Sequence, residues 1–409
     1  MATRGAEALP PTTPPPDMTL PGPESRFPEG ADWDRVHADF PVNRHLIWLN
    51  NCGTTPIGDP MRRAVGAWLE EYGRRGAAAE GWSYAGIRAS IQRRLENLLG
   101  AVPGEIALIH HTSEGMNFIS HGLTLDAGDE ILLLENEYPS NVYPWEHWAG
   151  KGVRLRTVPM ADSPGSFLEG FRAALGPRVR AAALSAVHWC TGMPLPLEAI
   201  GTACAEQGTA LIVDGSQGVG LLGMDVRAAG IRYMAFSGWK WLLGPLGLGV
   251  LFIDRGHLES LRPVFKGTES VPGDQDYLPY KHVLKPTADR FALSTGSMTD
   301  WVHFDASLAY LDALGFDRVR ERIRALSRRL ADGLRGAGYA IHSDAYPDEA
   351  CGIVTAARPG QDAAAAVRAL KDKGIIAAAR LGRIRLSPHV YISERQIDAV
   401  TAAMADLET

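Results

Sequence analysis

Between Leu46 and Asp254 short, unbroken apolar runs alternate with stretches of helical periodicity, and this constrains the fold more than any other feature of the 409 residues. The runs "EIALIHH", "EILLLEN", "VRLRTVPM", "AAALSAV", "ALIVDGS", "YMAFSG" and "GVLFID" have the length and residue types of strands buried on both faces. Helical segments such as "PMRRAVGAWLEEYGRR", "SIQRRLENLLG" and "PLEAIGTACAEQG" fall around and between them. Parallel neighbours need crossover connections, and the crossover helices cover both faces of the sheet. The pattern therefore predicts an α/β domain with a mostly parallel sheet. In open sheets of this kind ligands bind beyond the carboxyl ends of the strands, so the polar residues that follow each run are the functional candidates.

The remainder of the chain divides around that domain. Residues 1–30 are dense in proline and without hydrophobic periodicity, which predicts a disordered tail. A large domain is expected over 31–295, with its N-terminal segment packing on a small α+β domain over 296–409. The small domain begins with a helical region from about Asp300 to Gly336. It continues with strand-like "GIVTAA", helical "DAAAAVRALKDKG", the segment "IIAAARLGRIRLSPHVY" and a closing helix from Ser393. The irregular segment 265–290, carrying Lys266, Lys281, Lys285 and Arg290, is too long for a simple connection and is expected to form a wall of the active site.

A net charge of −6 argues against nucleic acid or an anionic membrane as the main partner and favours a small-molecule site. No run reaches the roughly 18 apolar residues of a membrane helix, and there is no signal-peptide core, so a cytoplasmic protein is expected. Cys52, Cys190, Cys204 and Cys351 are scattered without C-x-x-C spacing, which indicates neither a disulfide framework nor a metal site. Each is read as a small buried side chain, with Cys190 kept open as a thiol near the site.

Three strand ends carry chemistry. "ALIVDGSQG" delivers Asp214 and Gln217, "YMAFSGWK" delivers Ser237 and Lys240, and "LIHHTSEGMNF" places Thr112 and Ser113 where a helix begins. Lys240 lies between Trp239 and Trp241 and before "LLGPLGLGVLF". A lysine removed from water there would have a depressed pKa and a nucleophilic neutral amine. Each feature has a plain alternative: a solvated lysine, an aspartate that only forms a turn, a hydroxyl that only caps a helix. Together an amine, an acid and an anion site at the ends of one sheet suit pyridoxal 5′-phosphate, which needs a Schiff-base lysine, a carboxylate at its pyridine nitrogen and phosphate donors.

With "D-G-S-Q" followed by "S-G-W-K-W-L-L-G-P", the chain resembles, over roughly residues 45–405, the class V aminotransferase family of fold-type I pyridoxal-phosphate enzymes. That family includes cysteine desulfurases, C–S lyases, isopenicillin N epimerase and kynureninase. The resemblance implies the fold-type I architecture, a large domain with a mostly parallel seven-stranded sheet plus the smaller α+β domain. It makes Lys240 the Schiff-base lysine and Asp214 the partner of the pyridine nitrogen. It assigns Thr112, Ser113, Gln217, Ser237 and Trp239 to the cofactor, with Tyr138 stacking on its ring and Thr295 reaching the phosphate of the other subunit of a homodimer with shared active sites. Arg385 in "IRLSPHVY" would grip the substrate carboxylate, with Trp189 and Asn51 also on the substrate side.

Departures from the family narrow the chemistry. Desulfurases carry a stacking histidine where Tyr138 stands, and a phenol stays neutral near pH 7. They also carry a nucleophilic cysteine before the C-terminal arginine, and "GIIAAARLGRIRLS" has none. Trp189 stands where several relatives place asparagine, and Trp239 where desulfurases have histidine; each is read either as a ligand through its indole N–H or as packing. The expected activity is β-elimination on an amino acid, of the C–S or C–Se lyase type, rather than persulfide-forming desulfuration. Epimerisation and transamination are the alternatives. A regulatory protein keeping the fold is disfavoured by the intact Lys, Asp and phosphate set. A dinucleotide dehydrogenase is disfavoured because "GPLGLG" precedes a strand instead of opening a helix.

Overall fold

The computed structural model describes residues 32–78, 82–273 and 278–407; the proline-dense segment 1–30 lies outside them. All seven apolar runs form strands: β1 (Ile106–Ile109), β2 (Glu130–Leu134), β3 (Arg154–Val158), β4 (Val179–Ser185), β5 (Ala210–Asp214), β6 (Tyr233–Ser237) and β7 (Gly249–Ile253). They build one seven-stranded sheet in the order β1-β7-β6-β5-β4-β2-β3. Only β7 runs antiparallel to its neighbours. The other six run the same way, so their carboxyl ends share one edge of the sheet.

Six of the runs lack alternation because both faces of the sheet are covered; the edge strand β3 departs from the expectation, alternating polar and apolar residues with only Val158 buried. Leu132, Val213 and Phe236 belong to one apolar core, while Ile131, Ile212 and Ala235 belong to a second core on the opposite face. The helix Thr112–Gly122 lies against β6, and Gly115 is its point of closest approach. A Cβ there would stand 2.6 Å from the Ala235 Cβ, so the residue must be glycine for the helix to sit this close.

The helical region beyond residue 297 is two helices, Met298–Leu314 and Phe316–Gly336, broken at Gly315, whose φ of +80° ends the first. The first packs against the helices Asp59–Arg75 and Tyr84–Leu99 of the large unit. Beyond them lies a four-stranded antiparallel sheet of β8 (Ala340–Ile341), β9 (Val354–Ala357), β10 (Ala378–Arg380) and β11 (Arg383–Leu386), in the order β10-β11-β9-β8. The N-terminal segment reaches this unit: Ile47–Trp48 pairs in parallel with Ile375–Ile376, and Phe40 stacks on Tyr391 at 4.4 Å. Among the described residues, no helix is long and apolar enough to cross a membrane, and no cluster of His, Cys, Asp or Glu could hold a metal ion.

His389 links the two units. It is fully buried, stacks on Trp241 at 5.9 Å and donates from Nε2 to the Trp241 carbonyl at 3.2 Å. Burial pushes its pKa down from 6.5 to about 4. Between those values the unfolded chain binds the proton and the folded chain does not, so this stability is present above pH 6.5 and lost as pH falls towards 4. Replacement by glutamine keeps an N–H donor and removes the titration. In denaturant unfolding, wild type should lose about 3 kcal/mol more than His389→Gln between pH 7 and pH 4, from 1.36 kcal/mol per pKa unit. Parallel pH profiles would show that His389 does not set acid stability.

Candidate active site

Five strand ends converge on a cavity of about 350 Å³ at the shared edge. The loop after β6 carries Lys240 into it. That loop is tightly held: Gly238 N–H bonds the Leu248 carbonyl, Gly244 N–H bonds the Gly238 carbonyl, and Leu243 adopts a φ of +57°. Trp241 anchors the turn, fully buried, with its indole N–H on Gln217 Oε1 at 2.9 Å. Burial lowers the Lys240 pKa, and the nearby Asp214 charge works against that lowering. The Lys240 Nζ lies 5.6 Å from the centre of the Tyr138 ring.

Asp214 ends β5, buried, and its Oδ1 accepts from Ser216 N–H at 2.9 Å. Burial raises its pKa, with Lys240 and the Ser216 hydrogen bond opposing. Two strands along, after β2, Glu137 is also buried. It accepts from the Tyr138 N–H at 2.7 Å and from the Ser185 N–H and hydroxyl at 2.8 and 2.6 Å. Its pKa is pushed up to about 7, first by burial and then by the Asp214 charge. Glu137 thereby fixes the backbone on which Tyr138 stands.

At the end of β1, Thr112 and Ser113 open their helix, capped by His111, whose Nδ1 accepts from Glu114 N–H at 3.0 Å. Gly249 on β7 permits this approach, since a Cβ there would meet the His111 backbone at 2.9 Å. The Thr112 hydroxyl lies 2.7 Å from that of Ser216, and the Ser113 hydroxyl 2.8 Å from that of Ser140. The Ser237 hydroxyl lines the same cavity, buried and without a protein partner. A helix N-terminus, a ring of hydroxyls and one orphaned donor fit a phosphate. With a buried carboxylate and a buried amine beside them, the residues fit pyridoxal phosphate in full.

Arg385 on β11 bounds the other side, 2% exposed, with Nη1 on the Trp189 carbonyl at 2.6 Å and a buried Nε that has no partner in the protein. Its guanidinium carbon lies 5.9 Å from the Trp189 ring, which meets the Tyr138 ring edge-on at 5.4 Å. Donors left unsatisfied in a buried guanidinium suit a carboxylate.

Of the residues expected from sequence, Lys240, Thr112, Ser113, Tyr138, Gln217, Ser237, Trp239, Arg385 and Trp189 all line this cavity, with Asp214 in charge contact with Lys240. Several expected details are corrected. Asn51 is not among the residues that line the cavity: fully buried, it donates to the Lys240 carbonyl at 3.2 Å and accepts from the Tyr391 hydroxyl at 3.0 Å, and so supports the lysine loop. The Trp189 indole N–H is taken by the Asn136 carbonyl at 2.8 Å, leaving only its ring for a ligand. Both ends of the Gln217 amide are engaged, with Nε2 on the Cys52 carbonyl at 2.8 Å and Oε1 under Trp241.

No described residue of 265–290 lines the cavity of this chain. Lys285 pairs with Glu269, and Arg290 with Glu259. Thr295 lies at a separate groove beside Trp68, Tyr72, Trp82 and Tyr84, away from its own chain's cavity. Cys190 is buried with its thiol pushed up to about 11, and Cys351 is likewise buried and raised, so neither is a poised nucleophile. Cys52 is the cysteine that lines the cavity.

Sequence reasoning missed Glu137, His111, Ser140, Ser216, Cys52 and Arg380. Ser216 stands within "DGSQ" and His111 directly before "TS", so position after a strand was an available signal. Nothing in the local sequence marks Glu137 or Arg380.

Comparison with known proteins agrees with this geometry. The family model described as aminotransferase class-V matches residues 47–399. Isopenicillin N epimerase of Streptomyces clavuligerus is 28% identical, over 91% of this chain and 98% of its own. A probable cysteine desulfurase of Pyrococcus abyssi is 25% identical, over 91% and 96%. A solved structure of a mutant of C-DES, with glycine covalently linked to its pyridoxal-phosphate cofactor, superposes with a TM-score of 0.85 at 24% identity, over 91% of this chain and 99% of that one. Another structure describes C-DES as a cystine C–S lyase in complex with cysteine persulfide. These two likenesses establish the shared fold.

Proposed function

The chain belongs to the class-V aminotransferase family, and from that membership we propose a pyridoxal-phosphate-dependent lyase that removes a β-substituent from an amino acid, of the C–S or C–Se type. The observation that carries the cofactor reading is that one cavity is lined by half-buried Lys240 and by the orphaned Ser237 hydroxyl, with the buried Asp214 carboxylate acting on Lys240 from behind the lining. When bound, pyridoxal phosphate supplies an aldehyde that captures an amine and a ring that spreads negative charge from Cα.

The chain's own groups then have distinct tasks. The Lys240 amine, kept less basic by burial, takes the Cα proton and can return one. Asp214 would hold the ring nitrogen through its negative charge, and Tyr138, whose ring centre lies 5.6 Å from Lys240 Nζ, would lie against the ring. Arg385 grips the α-carboxylate, which fixes the substrate's rotation and aims the Cα–H bond at Lys240. Thr112, Ser113, Ser237 and the indole of Trp239, which line the cavity, would hold the phosphate.

A persulfide-forming desulfurase fits less well, because the segment 374–387 holds no cysteine and both Cys190 and Cys351 are buried thiols. The likeness to an isopenicillin N epimerase, 28% identical over 91% of this chain, favours epimerisation as the second reading. The groove at Thr295, with exposed Leu69 and Tyr72 near it, supports a homodimer in which that residue reaches the partner's phosphate.

The test is product analysis with the cofactor-loaded protein on cystine, S-substituted cysteines and L-cysteine. Elimination should give stoichiometric keto acid and ammonia. Deuterium exchange at Cα with inversion, and no keto acid, would instead establish the epimerase. Amine transfer that depends on an added keto acid would establish the aminotransferase.

A further inference from the structure

Arg385 is not alone on its face of the small sheet. Ala378 pairs with Arg385 and Arg380 with Arg383 across the β10–β11 hairpin. Side chains alternate along a strand and directly paired residues share a face, so Arg380, Arg383 and Arg385 all project from the same side. The hairpin turns through Leu381 and Gly382, with φ of +47° and +71°, the two positive values that a tight two-residue turn requires. Arg380 is therefore held at the base of a short turn, and it lines the cavity together with Arg385.

Its charge has no internal counterpart. The cavity lining includes Lys240, Arg380 and Arg385 but no aspartate or glutamate. Among the described residues, no ion pair involves Arg380 or Arg383. Arg380 Nη1 meets only the Ala379 carbonyl, at 2.7 Å. The phosphate end of the site is built separately, from hydroxyls and a helix N-terminus on the large sheet. Once Arg385 holds an α-carboxylate, Arg380 remains as a second cation facing the outer part of the substrate.

The geometry points to an amino-acid substrate whose side chain ends in a second carboxylate, received by Arg380 while Arg385 holds the first. This inference rests on the amino-acid reading above but not on which bond is broken. A planar guanidinium discriminates a carboxylate from its neutral amide, which offers one acceptor instead of two and no charge.

Binding to cofactor-loaded protein, measured by calorimetry, tests it with matched pairs: S-carboxymethylcysteine against S-carbamoylmethylcysteine, and α-aminoadipate against norleucine. The acid should bind about tenfold or more tightly than its neutral match. In Arg380→Gln that preference should vanish while affinity for the neutral ligand holds, and Arg383→Gln should keep the preference, because Arg383 does not line the cavity. Equal binding of acid and amide by wild type, or a preference that survives in Arg380→Gln, would overturn the assignment. A preference for the acid without any keto acid would instead sink the elimination reading and leave this one standing.

Discussion

Lys240→Ala is expected to abolish turnover, by at least about 10³-fold. The general-base contribution alone is about 10²–10⁴-fold, and the variant also loses the amine that anchors the cofactor. Borohydride treatment of the cofactor-loaded wild type should fix a label on the peptide that spans residues 236–254, and the variant should carry none. The change should not unfold the protein. The lysine loop is held by main-chain bonds at Gly238 and Gly244, by buried Trp241 and by Asn51 on the Lys240 carbonyl, all of which remain. Removing an amine whose burial disfavours its charge should leave thermal stability near wild type or above it. A variant that keeps substantial turnover, or a wild type that labels elsewhere, would remove Lys240 from its role.

Asp214→Asn should show the second largest effect, a fall in kcat/KM of about 30- to 5,000-fold, the range for removing one partner of a buried charge pair, 2–5 kcal/mol. Asparagine fits the space and keeps an acceptor for the Ser216 N–H. It cannot hold the negative charge that keeps a ring nitrogen protonated. A second readout separates charge from shape. Asp214 raises the Lys240 pKa against burial, so its loss should lower that pKa further. The pH dependence of amine reactivity at Lys240 in the cofactor-free protein should shift to lower pH in Asp214→Asn. An unchanged profile together with wild-type turnover would show that the carboxylate does no electrostatic work in the site.

These predictions draw on residues that differ in how legible they were. Lys240, Asp214, Thr112 and Ser113 follow apolar runs directly. A sheet buried on both faces announces itself by such runs and presents its polar groups at their ends. Arg385 was legible only through the family resemblance, because "RIRLS" on its own is a short strand with charges. Glu137 and Arg380 escaped notice because their significance is spatial. Glu137 matters because the order β5-β4-β2 brings its carboxyl near Asp214, and that order is not written in any local window. Arg380 matters because a hairpin register sets it on the same face as Arg385.

Asn51 and the loop 265–290 show how sequence position alone leaves direction open. Asn51 lies close to Lys240 but is turned into hydrogen bonds with backbone and Tyr391. Two basic residues of the loop, Lys285 and Arg290, find acidic partners at Glu269 and Glu259. Proximity to a site, or charge near it in sequence, does not say which way a side chain points.

The sequence by itself determined the class of fold, the edge of the sheet where chemistry would lie and the residues that make a cofactor site possible. All of these follow from local periodicity and from what comes directly after each strand. Strand order, hairpin register and the packing of the small sheet over the lysine loop were decided only in three dimensions. They depend on pairings that no local window contains, from a hairpin that sets Arg380 opposite Arg383 to the long-range bond from Arg385 to the Trp189 carbonyl. Those pairings bring Arg380 and Arg385 together in a cavity whose lining holds no carboxylate.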